Sequence, residues 1–310
     1  MTLDPIILFF LFGVIAKLVQ SDVRLPPAIY DFLSTMLLLT IGLKGGVELA
    51  KQPFLPLLPQ LISVLAVGFV IPLVLFPILK GVGKFSRPDA ASVAAHYGSV
   101  SVGTFAVALG YLESQNVPYE AYVSVFVVML EIPAIVVGII LAKGIHKDTQ
   151  WGKISHEMFL GKGVLLLVAG LVIGWVMGED NLAKITPFFF DLFPGFLALF
   201  LLEMGIITAK QLHSLRNYGF FLIAFGILTP IGLSVVGVLM GSLLGLSVGG
   251  AAVLGTLLAS ASYIAVPAAM RISVPEANPT LSLTASLGIT FFFNVLVGIP
   301  LYLAMAKVIL

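Results

Sequence analysis

Two short runs of small and hydroxylated residues carry the chemistry open to this sequence. The first is Gly98-Ser-Val-Ser-Val-Gly-Thr104 and the second Ala259-Ser-Ala-Ser-Tyr-Ile-Ala-Val-Pro267, each set within an otherwise apolar stretch. Ser99, Ser101, Thr104, Ser260 and Ser262 can each donate or accept a hydrogen bond. With Gly98, Gly103 and Tyr263 they form the candidate substrate site. A continuous helix has no need of the first run, and Pro267 in the second lacks an amide donor and disfavours helix in the residue before it. Both stretches are therefore expected to break. Half-helix N-termini would then offer unpaired N–H groups and a positive dipole end, which suits a small oxyanion. The opposed carbonyl ends and the same hydroxyls suit a hard cation such as sodium. The alternative is that these small residues serve close helix packing.

Ionisable groups within apolar stretches are the second signal, because each is costly at the bilayer centre unless paired or hydrated. Glu131 and Glu203, with the neutral amide of Asn294, are the candidates for holding a coupling cation. For Glu131 the alternative is protonation with a hydrogen bond to a neighbouring helix. His96 reads as a packing residue, since no second histidine or acid at metal spacing accompanies it. The chain has no cysteine and no serine with an evident base nearby, so neither an enzyme nor a cofactor is expected. A formal charge of +1 leaves no footprint for nucleic acid.

The elements that must position these residues follow from composition. Of 310 residues, 59% are hydrophobic and 10% charged, against about 25% charged in a soluble domain. The fold class is thus an all-α integral membrane protein. Ten apolar stretches are read as transmembrane helices, at roughly Pro5–Val19, Pro26–Leu43, Pro53–Leu79, Ala90–Leu112, Tyr119–Ala142, Gly163–Met177, Thr186–Ile207, Tyr218–Leu244, Val248–Arg271 and Thr280–Val308. Sorting the 16 basic residues by the ends of these stretches puts only Lys44, Lys51, Lys184 and Lys307 on one side. The positive-inside rule then places both termini outside and the linker 144–161 in the cytoplasm. That linker reads as a solvated connection or a dock for a soluble regulator.

The segment Leu37–Leu49 resembles Phe200–Leu212, setting Gly42 against Gly205. At the same offset His96–Ser114 falls on Ala259–Ala277, pairing Ser99 with Ser262. Residues 1–143 and 162–310 are therefore expected to be two five-helix repeats. An odd number of spans inverts the second, giving broken fourth and ninth helices at equivalent places.

The block from Asp89 to Tyr122 resembles the sodium-dependent bicarbonate transporters of the SbtA type, as do Ala259–Leu301, Thr40–Gly46 and Leu130–Ala134. The resemblance covers nearly the whole chain. It implies sodium-coupled uptake of bicarbonate across an inner membrane, a substrate site between the broken helices, often a homotrimer, and in cyanobacterial members a PII-like regulatory partner. Where that family commonly carries an aspartate in the ninth helix, this chain has Tyr263. The alternatives are an ion- or proton-coupled transporter of another small anion or organic acid, or a membrane ligand sensor or scaffold.

Overall fold

The computed structural model describes residues 5–144, 151–214 and 219–310. Its described elements are helical: α1 (Pro5–Leu18), α2 (Pro27–Lys51), α3 (Phe54–Gly81), α4 (Arg87–Gly98), α5 (Val102–Ser114), α6 (Ser124–Lys143), α7 (Trp151–Leu160), α8 (Lys162–Leu182), α9 (Phe193–Ser214), α10 (Gly219–Leu243), α11 (Val248–Leu258), α12 (Ala265–Ser273), α13 (Pro279–Leu283) and α14 (Ile299–Ile309). Wide π-type turns over Thr284–Phe291 and Asn294–Gly298 join α13 to α14.

Among the described residues eight helical stretches are long and apolar enough to cross a membrane, counting Arg87–Ser114 and Pro279–Ile309 as one each. The other two expected spans fall on shorter pieces. α1 has 14 residues, about 21 Å at 1.5 Å per residue and short of a ~30 Å hydrocarbon core. The expected ninth span is divided into α11 and α12. Within the polar linker the structure places a helix, α7; residues 145–150 of the linker lie outside the described residues.

Burial sorts the helices by depth. The most apolar window of Arg87–Ser114 is 94% buried, against 28% for those of α3 and α8. α4 and α5 thus sit at the centre, while Val70, Val74, Trp175 and Val176 present apolar side chains outward, as lipid contact requires.

Two helix pairings are built on glycine. α2 lies along α8 and α1 along α9. A methyl added at Gly42 would come within 2.9 Å of the Gly170 α-carbon, and one at Gly205 within 3.1 Å of the Gly13 α-carbon. Such backbone-to-backbone approach is how helices associate where lipid removes the hydrophobic drive. In a second set of contacts α3 packs on α4 and α6, and α10 on α11 and α14. Two caps define the inner helix starts. Ser86 accepts the Asp89 amide while donating to the Asp89 carboxylate, and Ser247 accepts the Gly250 amide.

One end is closed by polar contacts. Lys44 Nζ lies 2.8 Å from Glu113 Oε1, the Tyr119 hydroxyl donates to that same oxygen at 3.0 Å, and the ammonium sits over the rings of Phe190 and Phe193. Burial, with the neighbouring Glu113 carboxylate, pushes the Tyr119 phenol well above its usual range. Nearby, Glu120 takes both the amide and the hydroxyl proton of Ser247.

The glycine contacts generate a first prediction. Gly205→Val should destabilise the protein by about 1–3 kcal/mol, the cost of overpacking a close contact, seen as a lowered thermal midpoint in detergent. Gly232→Ala, whose methyl meets open space, should leave the midpoint unchanged or raise it.

Candidate functional site

The helical break in the first run falls at Ser99–Ser101, between α4 and α5. Ser99 and Ser101 are both extended, with φ, ψ of −94°, −174° and −101°, 111°. Gly98 ends α4 where a side chain would run into the Pro72 ring of α3. The second break spans Ala259–Ile264, before α12. Pro267 is the third residue of α12, where its missing amide falls among donors that a helix start leaves unpaired in any case.

The breaks lie against each other. The Ser262 amide donates to the His96 carbonyl at 2.8 Å. The Ser101 amide donates to Ser260 Oγ at 2.9 Å, and that hydroxyl passes its own proton to the Leu257 carbonyl at 2.8 Å. Ser101 Oγ caps α5, accepting from the Thr104 amide at 3.0 Å and from Thr104 Oγ1 at 2.9 Å. Ser262 Oγ accepts the Val266 amide at 3.3 Å, at the start of α12. Ser99 Oγ and Tyr263 Oη are buried without a hydrogen-bond partner among the described residues. The Tyr263 hydroxyl packs on the Gly103 α-carbon, and its ring meets Phe291 edge-on at 5.5 Å.

All eight residues expected to form the substrate site are thus gathered at one crossing. A cleft of about 280 Å³ reaches it, and its wall includes Val102 and Gly103 at the start of α5 and Ile264 and Ala265 at the start of α12. The Val102, Gly103 and Ala265 amides have no hydrogen-bond acceptor among the described residues. Two helix N-terminal ends therefore border one cleft, a placement that favours negative charge. Ser101, Ser260 and Ser262 hold the crossing together behind this wall.

The cation candidates separate. Glu131 lies on the cleft wall and is 5% exposed. Asn294 adjoins the crossing, where its amide donates to the Ala259 carbonyl at 2.9 Å while its oxygen accepts from the Tyr302 hydroxyl at 2.7 Å. Glu203 does not line the cleft; it accepts the Leu25 amide at 2.9 Å, holding the turn before α2. Sequence reasoning passed over Tyr30 and Phe200, which stack on each other at 5.6 Å and line the cleft, and Asp31 and Lys162 beside them. Tyr30 lies in no motif and Phe200 only opens the Phe200–Leu212 repeat segment; the fold brings them together. Among the described residues no three His, Asp or Glu side chains gather as a metal site.

Broken helices that meet head to head over a cavity inside an apolar bundle define a membrane transporter. The chain belongs to the Na+-dependent bicarbonate transporter superfamily, whose family model matches residues 5–307. Its membership makes it a transporter and not an enzyme. No individually curated protein matches the chain.

The contact between Tyr263 and Gly103 gives a paired test. Gly103→Ala should drive a methyl into the Tyr263 hydroxyl and lower stability by about 1–3 kcal/mol. Adding Tyr263→Phe should recover most of that loss. Thermal unfolding of the two variants checks the coupling, and an uncorrected double variant would place the clash elsewhere.

Proposed function

We propose that the protein couples sodium entry to uptake of bicarbonate by alternating access around the crossed breaks. The observation that carries this reading is the pair of half-helix N-termini, Val102–Gly103 and Ile264–Ala265, opening on one cleft. Their unpaired amides suit the oxygens of a small anion, and the superfamily supplies the identity of that anion and of the cation. Sodium would draw on carbonyl and hydroxyl oxygens at the crossing, with Glu131 on the cleft wall and Asn294 beside Ala259 as neighbours.

The same reading takes the chain as ten spans in two inverted repeats, 1–143 and 162–310. Its support is that Gly42 and Gly205, equivalent by sequence, make equivalent backbone contacts, with Gly170 and Gly13. The bias of basic residues supports outer termini and a cytoplasmic linker in an inner membrane. A homotrimer and a PII-like partner enter only through the resemblance. Tyr263 favours a second reading, another small monovalent anion or organic acid, because a neutral phenol stands where a carboxylate is common.

Proteoliposomes carrying the protein should accumulate labelled bicarbonate when a sodium gradient is imposed. No accumulation, joined to no effect of sodium on thermal stability, would sink the proposal. Ser99→Leu and Ser262→Leu should each abolish uptake in folded protein, whereas full activity in both would move the site away from the crossing. Tyr263→Asp should alter sodium dependence or the ranking of competing anions; an unchanged profile would make the phenol a packing group.

A further inference from the structure

A second, smaller cavity of about 100 Å³ lies on another face of α12, lined by Ser92 and His96 of α4, Met270 and Arg271 of α12, and Pro279 at the start of α13. His96 is 1% exposed, and its Nε2 is buried with no hydrogen-bond partner among the described residues. Its Nδ1 lies 2.7 Å from the Ser92 carbonyl. A carbonyl only accepts, so Nδ1 carries the proton, and in the neutral ring Nε2 is a bare lone pair. Arg271 is exposed on the last turn of α12 and makes no ion pair among the described residues. Ser92 Oγ is already engaged with Ser282 Oγ at 3.0 Å, which leaves the imidazole and the guanidinium as the free polar groups of this wall.

Each of these two groups asks for something different. The guanidinium takes an oxyanion, with donors in a fork that matches two oxygens. The lone pair takes a proton donor. α12 ends at Ser273, two residues past Arg271, and the negative pole of a helix C-terminus disfavours a bare anion, so an occupant that also offers an O–H to the imidazole is favoured. At about 30 Å³ per liquid water, the cavity suits a ligand of three or four heavy atoms. We infer that this cavity is a second binding subsite for a small protonated oxyanion, with Arg271 on its charged oxygens and His96 Nε2 accepting its O–H. Bicarbonate has both features, while nitrate and formate have the charge without the donor. The inference rests on the transport reading for its cargo. It adds to that reading a site one helical turn before the crossing, whose Ser262 amide the His96 carbonyl already holds, and a residue that selects among anions.

Binding and selectivity test it separately from transport. In wild-type protein labelled with 15N-histidine, addition of bicarbonate should shift the His96 Nε2 resonance, assigned by its absence in His96→Gln, and nitrate should not. In uptake assays His96→Leu should raise the half-saturating bicarbonate concentration about tenfold, the scale of one hydrogen bond to a charged group. Inhibition by nitrate should stay the same. His96→Gln, which keeps an acceptor, should stay within about threefold of wild type, and Arg271→Gln should weaken both anions. A wild type that imports bicarbonate with an unmoved His96 resonance overturns the subsite and leaves the transport reading standing. So does a His96→Leu variant that loses bicarbonate and nitrate equally. A wild type that binds bicarbonate at His96 without importing it overturns the transport reading alone.

Discussion

Inside a bilayer the backbone has no water to turn to, and every amide and carbonyl freed by a helix break must find protein or a hydrated cavity. This chain breaks two central helices, and each break supplies part of what the other lacks. The Ser262 amide reaches the His96 carbonyl, and the Ser101 amide reaches Ser260 Oγ. An unpaired buried amide costs about 1–3 kcal/mol, so neither break is stable at this depth without its counterpart. The amides left over, at Val102, Gly103 and Ala265, belong to residues that line the cleft. Structural need and binding capacity are divided within the same few residues.

The surroundings keep that crossing in place. Pro72 of α3 abuts Gly98, Asn294 holds the carbonyl at Ala259, and Phe291 backs Tyr263. Tyr97 Oη lies 2.6 Å from Thr290 Oγ1, which itself donates to the Gly226 carbonyl of α10 at 2.8 Å. The wide turns at Thr284–Phe291 and Asn294–Gly298 thus bring polar groups from the last helical stretch to both broken helices. The Lys44, Glu113 and Tyr119 contacts close one end, and both cavities lie toward the other.

Much of this was legible in the residues. Hydroxylated runs inside apolar stretches located both breaks, because such residues have little reason to lie mid-membrane unless backbone is being satisfied there. Pro267 pointed to the second break but sits just past it, at a position where its missing donor costs little. Other features depend on partners remote in sequence. Glu203 accepts the amide of Leu25 across 178 residues, a contact that its type and depth alone could not announce. Tyr30 and Phe200 reach the cleft only through the pairing of α2 with α9. The short α1 and the divided ninth stretch explain why ten apolar segments yield eight helices of full spanning length. The helix α7 was hidden by polar composition that reads equally as coil.

The glycine seams between α2 and α8 and between α1 and α9 have a mechanical side. Backbone resting on backbone leaves no side chain to rearrange, so those four helices form a stiff frame beside the bundle that carries the breaks. At the end of α2 that frame is joined to α3 by Gln52 and Pro53 alone. Three Cα steps reach about 10 Å at full extension. This short tether sets the longest stroke by which α3 could slide past α2 at that end of the molecule.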